Sequence, residues 1–499
     1  MNSKLVETRY GKVEGIEQDG VLVWKNVPFA SVQGRFQPPK PPVAWTGVRD
    51  ASAFGPVCTQ TPAPGVFSQD QANYQSEDCL NLNIWSPRVD GAPRPVLVWI
   101  HGGAFVFGSG QSAWYEGTSF ARRGNMVVVT INYRLGPFGF LYLDRLAGPD
   151  YAGSGNVAFL DQQAALAWVR ENIRAFGGDP ERITVAGQSA GSMSVGTLLA
   201  MPSARQHIDR AIMQSGAPFF KTADEADRIT QHFLGHLQLT PEQWPQLLEL
   251  PTERLLMAQG KLEQEISLPW GPVVDQVVIS QPLELAIDAG DTAGIPLLIG
   301  TTRDEFNLWG AMNPAWRSMP SEQMIAVFEH VAGGPLDERL RDYYVAGKSG
   351  IDLFQGLMAL ATDRIFWYPS ERVAERQSRV APVWAYRFDW PSQISGGVLG
   401  ACHAIEIPFV FNTIDVPGGA ALTGQSPNRQ AIADAMHQAW IAYVHGQNPV
   451  AESLPIWPPY RPDDRQTMIF DVESHLMRDP KRAEREVWDA LLSSKGPVN

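Results

Sequence analysis

The stretch Gly187-Gln188-Ser189-Ala190-Gly191 constrains this chain more than any other. It follows Arg182-Ile183-Thr184-Val185-Ala186, a short run with β-branched residues that reads as a buried strand. After it comes Ser192 to Ala200, long and apolar enough to be a packed helix. Strand, sharp turn and helix form the setting in which a G-x-S-x-G match holds its serine hydroxyl exposed on a strained turn. Gly187 and Gly191 are needed there because side chains two residues either side of the serine would collide. A helix opening at Ala190 aims free N–H groups and its positive dipole end at the place where an oxyanion would form. The competing reading is a glycine-rich strand–helix turn with an incidental serine, and the rest of the chain weighs against it.

The chain has 499 residues, 44% of them hydrophobic and 19% charged, the balance of an ordinary globular protein. Its length alone suggests about three domains, yet α/β architectures hold one large core with insertions. A net charge of −13 argues against an extended phosphate-binding surface, so nucleic acid is not an expected partner. No apolar run approaches membrane-spanning length; Met126 to Ile131 is strand-sized. The segment Met1 to Arg9 lacks the apolar core of a secretory signal, which predicts a cytoplasmic protein unless a leader was trimmed away. Cys58, Cys79 and Cys402 are odd in number and form no C-x-x-C pair, which favours reduced thiols over a metal site. No cofactor is expected.

In chain order, Lys4 to Tyr10 and Val21 to Phe29 alternate as small antiparallel strands. Pro62 to Ser76 is polar and aperiodic, a surface flap. Strands are expected at Cys79–Trp85, Val96–Ile100 and Met126–Tyr133, then a helix over Val157–Ile173 with Leu160, Ala164, Ala167 and Trp168 on one face. Ile208–Met213, Pro296–Thr301 and Val383–Phe388 complete the strands, and Asn428–Val444 reads as a late helix. Such alternation implies a large, mostly parallel sheet with right-handed crossovers and flanking helices. Two helical blocks, about 220–270 and 312–380, read as insertions covering one edge of that sheet within a single domain spanning 1–499.

A serine hydroxyl needs a base to take its proton, and the base needs an orienting acid. In open parallel sheets the reacting groups lie beyond the carboxyl ends of the strands. Asp304 and Glu305 follow one late strand, and His403 sits in the loop after the next. The order serine, acid, histidine is that of one known class of hydrolase. His437 and His445 fall in or near the late helix, and His101 is better suited to shaping its own turn. His101-Gly102-Gly103-Ala104 leaves a strand at the upstream position that supplies oxyanion donors, so the amides of Gly102, Gly103 and Ala190 form a candidate set. Gly108 and Gly110 could suggest a phosphate loop, but no Lys-Ser/Thr follows them.

These motifs resemble the type-B carboxylesterases of the α/β-hydrolase fold. The resemblance rests on SEDCLNLNIW at 76–85, HGGAF at 101–105, NYRLGPFGFL at 132–141, the run Asp161–Gly191, GTTRDE at 300–305 and HAIEIPFVF at 403–411. It implies an α/β-hydrolase fold with Ser189 as nucleophile, Glu305 rather than Asp304 as acid, His403 as base and no cofactor. It further implies a carboxylic ester hydrolase acting through an acyl-enzyme, with lipase or amidase chemistry as the nearest alternative. Adhesion relatives of that family lack the serine, whereas Ser189, Glu305 and His403 are all present here. Gln188 stands where the family usually has Glu, and Phe306 where it has Gly after the acid. Secreted relatives bridge cysteines like Cys58 and Cys79, which leaves that pairing open in this chain. Phe105, Phe107, Trp270, Trp309 and Phe411, with Gln188, are the expected substrate lining, each with an equal reading as core. By ungapped counting, Gln69 falls where cholinesterases carry a choline-stacking tryptophan. A small neutral ester, short-chain or aryl, is therefore the expected substrate.

Overall fold

The computed structural model describes residues 4–65, 67, 74–331 and 334–495. Its apolar runs assemble into an eleven-stranded sheet. In chain order the strands are β1 (Ile16–Gln18), β2 (Val21–Pro28), β3 (Asn81–Ser86), β4 (Arg94–Ile100), β5 (Val127–Ile131), β6 (Gly178–Gln188), β7 (Arg210–Gln214), β8 (Leu297–Thr302), β9 (Val383–Phe388), β10 (Gln466–Phe470) and β11 (His475–Arg478). Across the sheet the order is β11-β10-β9-β8-β7-β6-β4-β5-β3-β2-β1. Pairing is parallel from β10 through to β5 and antiparallel at both margins. This is the α/β-hydrolase architecture.

Val96–Ile100 of β4 and Val127–Val129 of β5 are apolar at every position because helices cover both faces of the sheet. Val96, Val98 and Ile100 face one layer, with Phe159, Leu166 and Leu198. Leu97 and Trp99 face the other, with Phe411, Trp440 and Tyr443. Period-two alternation thus divides a continuous apolar run between two cores. A third cluster lies in the helices that follow β8: Phe306, Phe328, Leu353, Leu357 and Phe366 pack together with Trp488 and Leu491 from the C-terminal helix Arg482–Lys495. The other expected helical block forms Ala223–His236 and Thr252–Glu265. No helix among the described residues is long and apolar enough to cross a membrane.

The two N-terminal runs form antiparallel strands, each in a hairpin of its own: Leu5–Thr8 turns back on Gly11–Glu14 in a small separate sheet, and β2 pairs with β1. Gly15 divides the two hairpins where the Trp24 ring leaves no room for a side chain, and that tertiary contact has no local signal. The Cys79–Trp85 strand starts later, at Asn81, because the Cys79 carbonyl is taken by the Asn81 backbone N–H and side-chain amide. Cys58, Cys79 and Cys402 are all buried free thiols.

The order in which strands are added reverses between β4 and β6, which are parallel neighbours although β5 separates them in sequence. A crevice at such a switch point, beyond the carboxyl ends of the strands, is where open α/β sheets bind ligands. The segment after β4 is fixed from below. Tyr133 Oη donates to the His101 carbonyl at 2.9 Å, and Gly136 N donates to the Phe105 carbonyl at 2.7 Å. Between them, the buried Arg134 guanidinium is gripped by Asp161 through Nε at 2.8 Å and Nη2 at 2.6 Å. A buried pair of this kind holds its loop because neither charge can be left alone.

Candidate active site

β6 ends at Gln188, and Ser189 follows with φ 57° and ψ −124° before the helix Ala190–Ala200 begins. Positive φ in a non-glycine residue costs about 1–3 kcal/mol and persists only where the surroundings enforce it. Here Ser189 N donates to the Gln214 carbonyl on β7, and the Ser189 carbonyl accepts from Met193 N, both at 2.9 Å. The two flanking glycines admit the turn sterically: a Cβ on Gly191 would meet the Ile100 carbonyl, and one on Gly187 would meet the Gly191 backbone. The strand–helix junction is therefore pressed against the end of β4. That proximity brings Gly102 to the serine, whose Cβ would lie 3.1 Å from a side chain at Gly102. The amides of Gly102, Gly103 and Ala190 find no acceptor among the described residues.

β8 delivers two adjacent carboxylates, and the backbone turns them in opposite directions. Glu305 is fully buried; its Oε1 accepts from Thr302 N at 2.8 Å and its Oε2 lies 2.6 Å from His403 Nδ1. Asp304 Oδ2 instead accepts from Ala401 N at 2.9 Å and pairs with the Arg303 guanidinium at 2.9 Å. Phe306, in place of the smaller residue of the family pattern, does not disturb this. Its N donates to Thr362 Oγ1 at 3.1 Å, and its ring stacks on Trp309 at 5.0 Å.

His403 Nε2 lies 3.3 Å from Gln188 Nε2. A carboxylate only accepts, so the Glu305 contact places the ring proton on Nδ1 and leaves the lone pair on Nε2. The ring is flanked by Phe366 at 4.6 Å and Trp309 at 5.0 Å. Behind the pair, Glu406 is buried with Oε1 accepting from Gln214 Nε2 at 3.3 Å; burial and the nearby Glu305 push its carboxyl up to about 8. A neutral acid there spares Glu305 a second negative charge at neutral pH.

The competing histidines His101, His437 and His445 are structural. His101 is buried, stacked on Tyr133 at 4.4 Å, with Nδ1 2.8 Å from the Gly102 carbonyl; burial lowers it to about 4 and keeps it neutral. His437 is held by the Val410 carbonyl at 2.7 Å, and His445 by the Gly124 carbonyl at 2.6 Å.

Two cavities meet at Ser189. One, of about 130 Å³, is walled by Gly102, Gly103, Phe107, Gln188, Trp309 and His403. The other, of about 160 Å³, is walled by Phe105, Ala190, Phe219, Lys221, Trp270 and Phe366, with Trp309 shared between the two. Of the aromatic residues singled out from sequence, Phe411 lines neither cavity. The short helix Ile407–Phe411 turns its ring into the sheet-side core, against Trp99 at 4.8 Å and Phe120 at 5.1 Å. Gln69 lies outside the described residues. Sequence reasoning passed over Phe366, Phe219, Lys221 and Trp114, all in cavity walls. Phe366 sits on a π-helical turn, Asp363–Trp367, whose extra residue per turn is frequent at functional sites and has no sequence signature.

Residues 2–488 match the family model described as the carboxylesterase family. The chain is 40% identical to the para-nitrobenzyl esterase of Bacillus subtilis, over 99% of this chain and all of that protein. It is 37% identical to the phenmedipham hydrolase of Pseudarthrobacter oxydans, over 96% of this chain and 98% of that one. Among solved structures, a Geobacillus stearothermophilus carboxylesterase superposes with a TM-score of 0.88 at 42% identity, covering 97% of this chain and all of that one. A crystallised para-nitrobenzyl esterase gives 0.87 at 39%, covering 97% and 99%. Sheet order, strained serine turn and match along nearly the whole length agree, and the chain belongs to the carboxylesterase family, as a serine carboxylic ester hydrolase.

Proposed function

We propose that Ser189, His403 and Glu305 form the catalytic triad, with the amides of Gly102, Gly103 and Ala190 as the oxyanion hole. The observation that carries this reading is the 2.6 Å contact between His403 Nδ1 and buried Glu305, made by a ring that shares a cavity wall with the strained Ser189. Ser189 Oγ attacks the ester carbonyl carbon while His403 Nε2 takes its proton. Glu305 stabilises the imidazolium, and the three amides bind the tetrahedral oxyanion, helped by the positive end of the Ala190–Ala200 helix. Collapse expels the alcohol, which takes its proton from His403; water then repeats the sequence on the acyl-serine. The proton donor to the leaving alcohol lines the first cavity only, so the alcohol occupies that cavity and the acyl chain the second. One hydrolase domain accounts for the chain, supported by the family match over residues 2–488. A cytoplasmic site of action accords with its three free cysteines.

The substrate is a small ester, neutral in preference to cationic. Among the described residues no carboxylate lines either cavity, Gln188 brings no charge beside the serine, and the charged side chain in their walls, Lys221, is itself positive. Turnover of a chromogenic aryl ester tests the esterase reading. For the preference, kcat/KM for an aryl butyrate is expected to exceed that for butyrylcholine at the same pH and ionic strength. Equal or faster hydrolysis of the choline ester would overturn the neutral-pocket reading and leave the triad untouched.

A further inference from the structure

The described walls of the second cavity are mostly apolar, with the hydroxyl residues Ser189 and Ser267 among them. Among its wall residues Lys221 alone carries a charge, set among Phe105, Phe219, Trp270 and Leu268. Lys221 follows the turn after β7 and pairs through its backbone with Val273, so the side chain is held at a fixed place beside the cavity. Its Nζ donates to the Leu268 carbonyl at 3.0 Å. A carbonyl occupies one of the three donors of an ammonium and does not neutralise it. No carboxylate among the described residues comes within ion-pairing distance of Lys221. Glu225, the acidic group whose field reaches it, is engaged with the backbone N–H of Thr222 at 2.7 Å and with its hydroxyl at 2.9 Å. Glu263, on the adjoining helix, takes Gln259 Nε2 at 2.8 Å. A partly buried ammonium with no carboxylate in contact is an uncommon choice for an apolar wall, because burial penalises the charged form unless something anionic pairs with it.

We infer that Lys221 is a specificity residue for the acyl group, and that the acyl cavity accepts chains ending in a carboxylate: monoesters of short dicarboxylic acids. This rests on the esterase reading and on placing the acyl chain in the second cavity. The aromatic walls hold the methylene chain, and the ammonium forms a charge-assisted hydrogen bond with the terminal carboxylate, displacing the water that otherwise solvates both. The alcohol half remains in the other cavity, whose described walls hold no such cation. The reading of neutral over cationic esters stands beside it, because it concerns the alcohol cavity, where no carboxylate among the described residues faces a choline.

The test compares mono-4-nitrophenyl esters of glutaric, adipic and pimelic acids with neutral isosteres in which an isopropyl group replaces the carboxylate. The readout is the ratio of kcat/KM, anionic over neutral, within each protein, which cancels general damage to the enzyme. For at least one chain length, Lys221→Met is expected to lower that ratio by about 10- to 100-fold, the worth of one hydrogen bond between charged partners in a low-dielectric site. Lys221→Arg should restore most of it. Burial lowers the Lys221 ammonium to about 8. Raising the pH from 7 to 9 should therefore shrink the wild-type ratio, because the cation loses its proton while the substrate carboxylate stays charged. The methionine variant should show no such trend, and the wild-type trend decides the matter should that variant fail to fold. An unchanged ratio in Lys221→Met, or a wild-type ratio flat from pH 7 to 9, would make Lys221 a tether for Leu268 and overturn the inference. A loss confined to esters carrying the carboxylate on the phenol would overturn the assignment of cavities. Absence of turnover of the neutral esters by the wild type would instead strike the esterase reading itself.

Discussion

Replacing Ser189 by alanine is expected to leave a folded protein whose turnover of an aryl ester falls by about 10⁴- to 10⁶-fold. The change removes one oxygen and little else. The strain at φ 57° is a backbone property that alanine shares, and the hydrogen bonds fixing the turn come from main-chain atoms, so the melting temperature should barely move. Circular dichroism beside a rate assay separates loss of chemistry from loss of fold. Retention of even a tenth of the wild-type rate would remove Ser189 from the role of nucleophile.

Glu305→Gln is expected to lower kcat by about 10⁴-fold, because the isosteric amide can present N–H to His403 Nδ1 and reverse the tautomer that leaves Nε2 free to accept a proton. Asp304→Asn should cost less than tenfold: its carboxylate serves Ala401 N and Arg303, and its loss loosens a loop without touching the imidazole. The two variants differ by one position and neither changes side-chain volume, so the comparison reads orientation alone. A larger loss at Asp304 would mean that the wrong carboxylate has been placed in the triad.

What could be read in the sequence was whatever depends on local pattern. The apolar runs that became β4, β5, β6 and β8 were legible because strands buried on both faces need no alternation. Gly187 and Gly191 were legible because a close backbone approach admits no side chain there. The N-terminal hairpins were blurred, since the division at Gly15 depends on Trp24 folding over it. Cavity walls were the least legible part. Phe105 and Phe411 are both buried phenylalanines close to conspicuous motifs, and only the packing of the short helix Ile407–Phe411 sends one to the cavity and the other beneath the sheet. Lys221 belongs to a segment whose composition is that of any surface turn, and Phe366 to the apolar run Ile365–Tyr368, which reads as core; tertiary folding alone brings them to the cavity at Ser189.

The third apolar cluster has a bearing on how the protein fails. Phe306, Trp309 and Phe366 reach the site from helices packed on one another and on Trp488 and Leu491, and the buried Asp363 joins that layer to Lys481 and, at 2.7 Å, to Tyr344 Oη. The sheet has cores of its own on either face. A layer with separate packing can open as a cooperative unit at lower free energy than the whole molecule. Catalysis then has a melting point of its own. On heating, esterase activity should disappear before the far-ultraviolet signal of the sheet, and amides over Leu353–Leu360 should exchange with solvent deuterium while those of β4 and β6 remain protected. Warmed samples that have lost activity but kept the sheet should recover on cooling, because the nucleophile turn, built on β6 and β4, has not come apart.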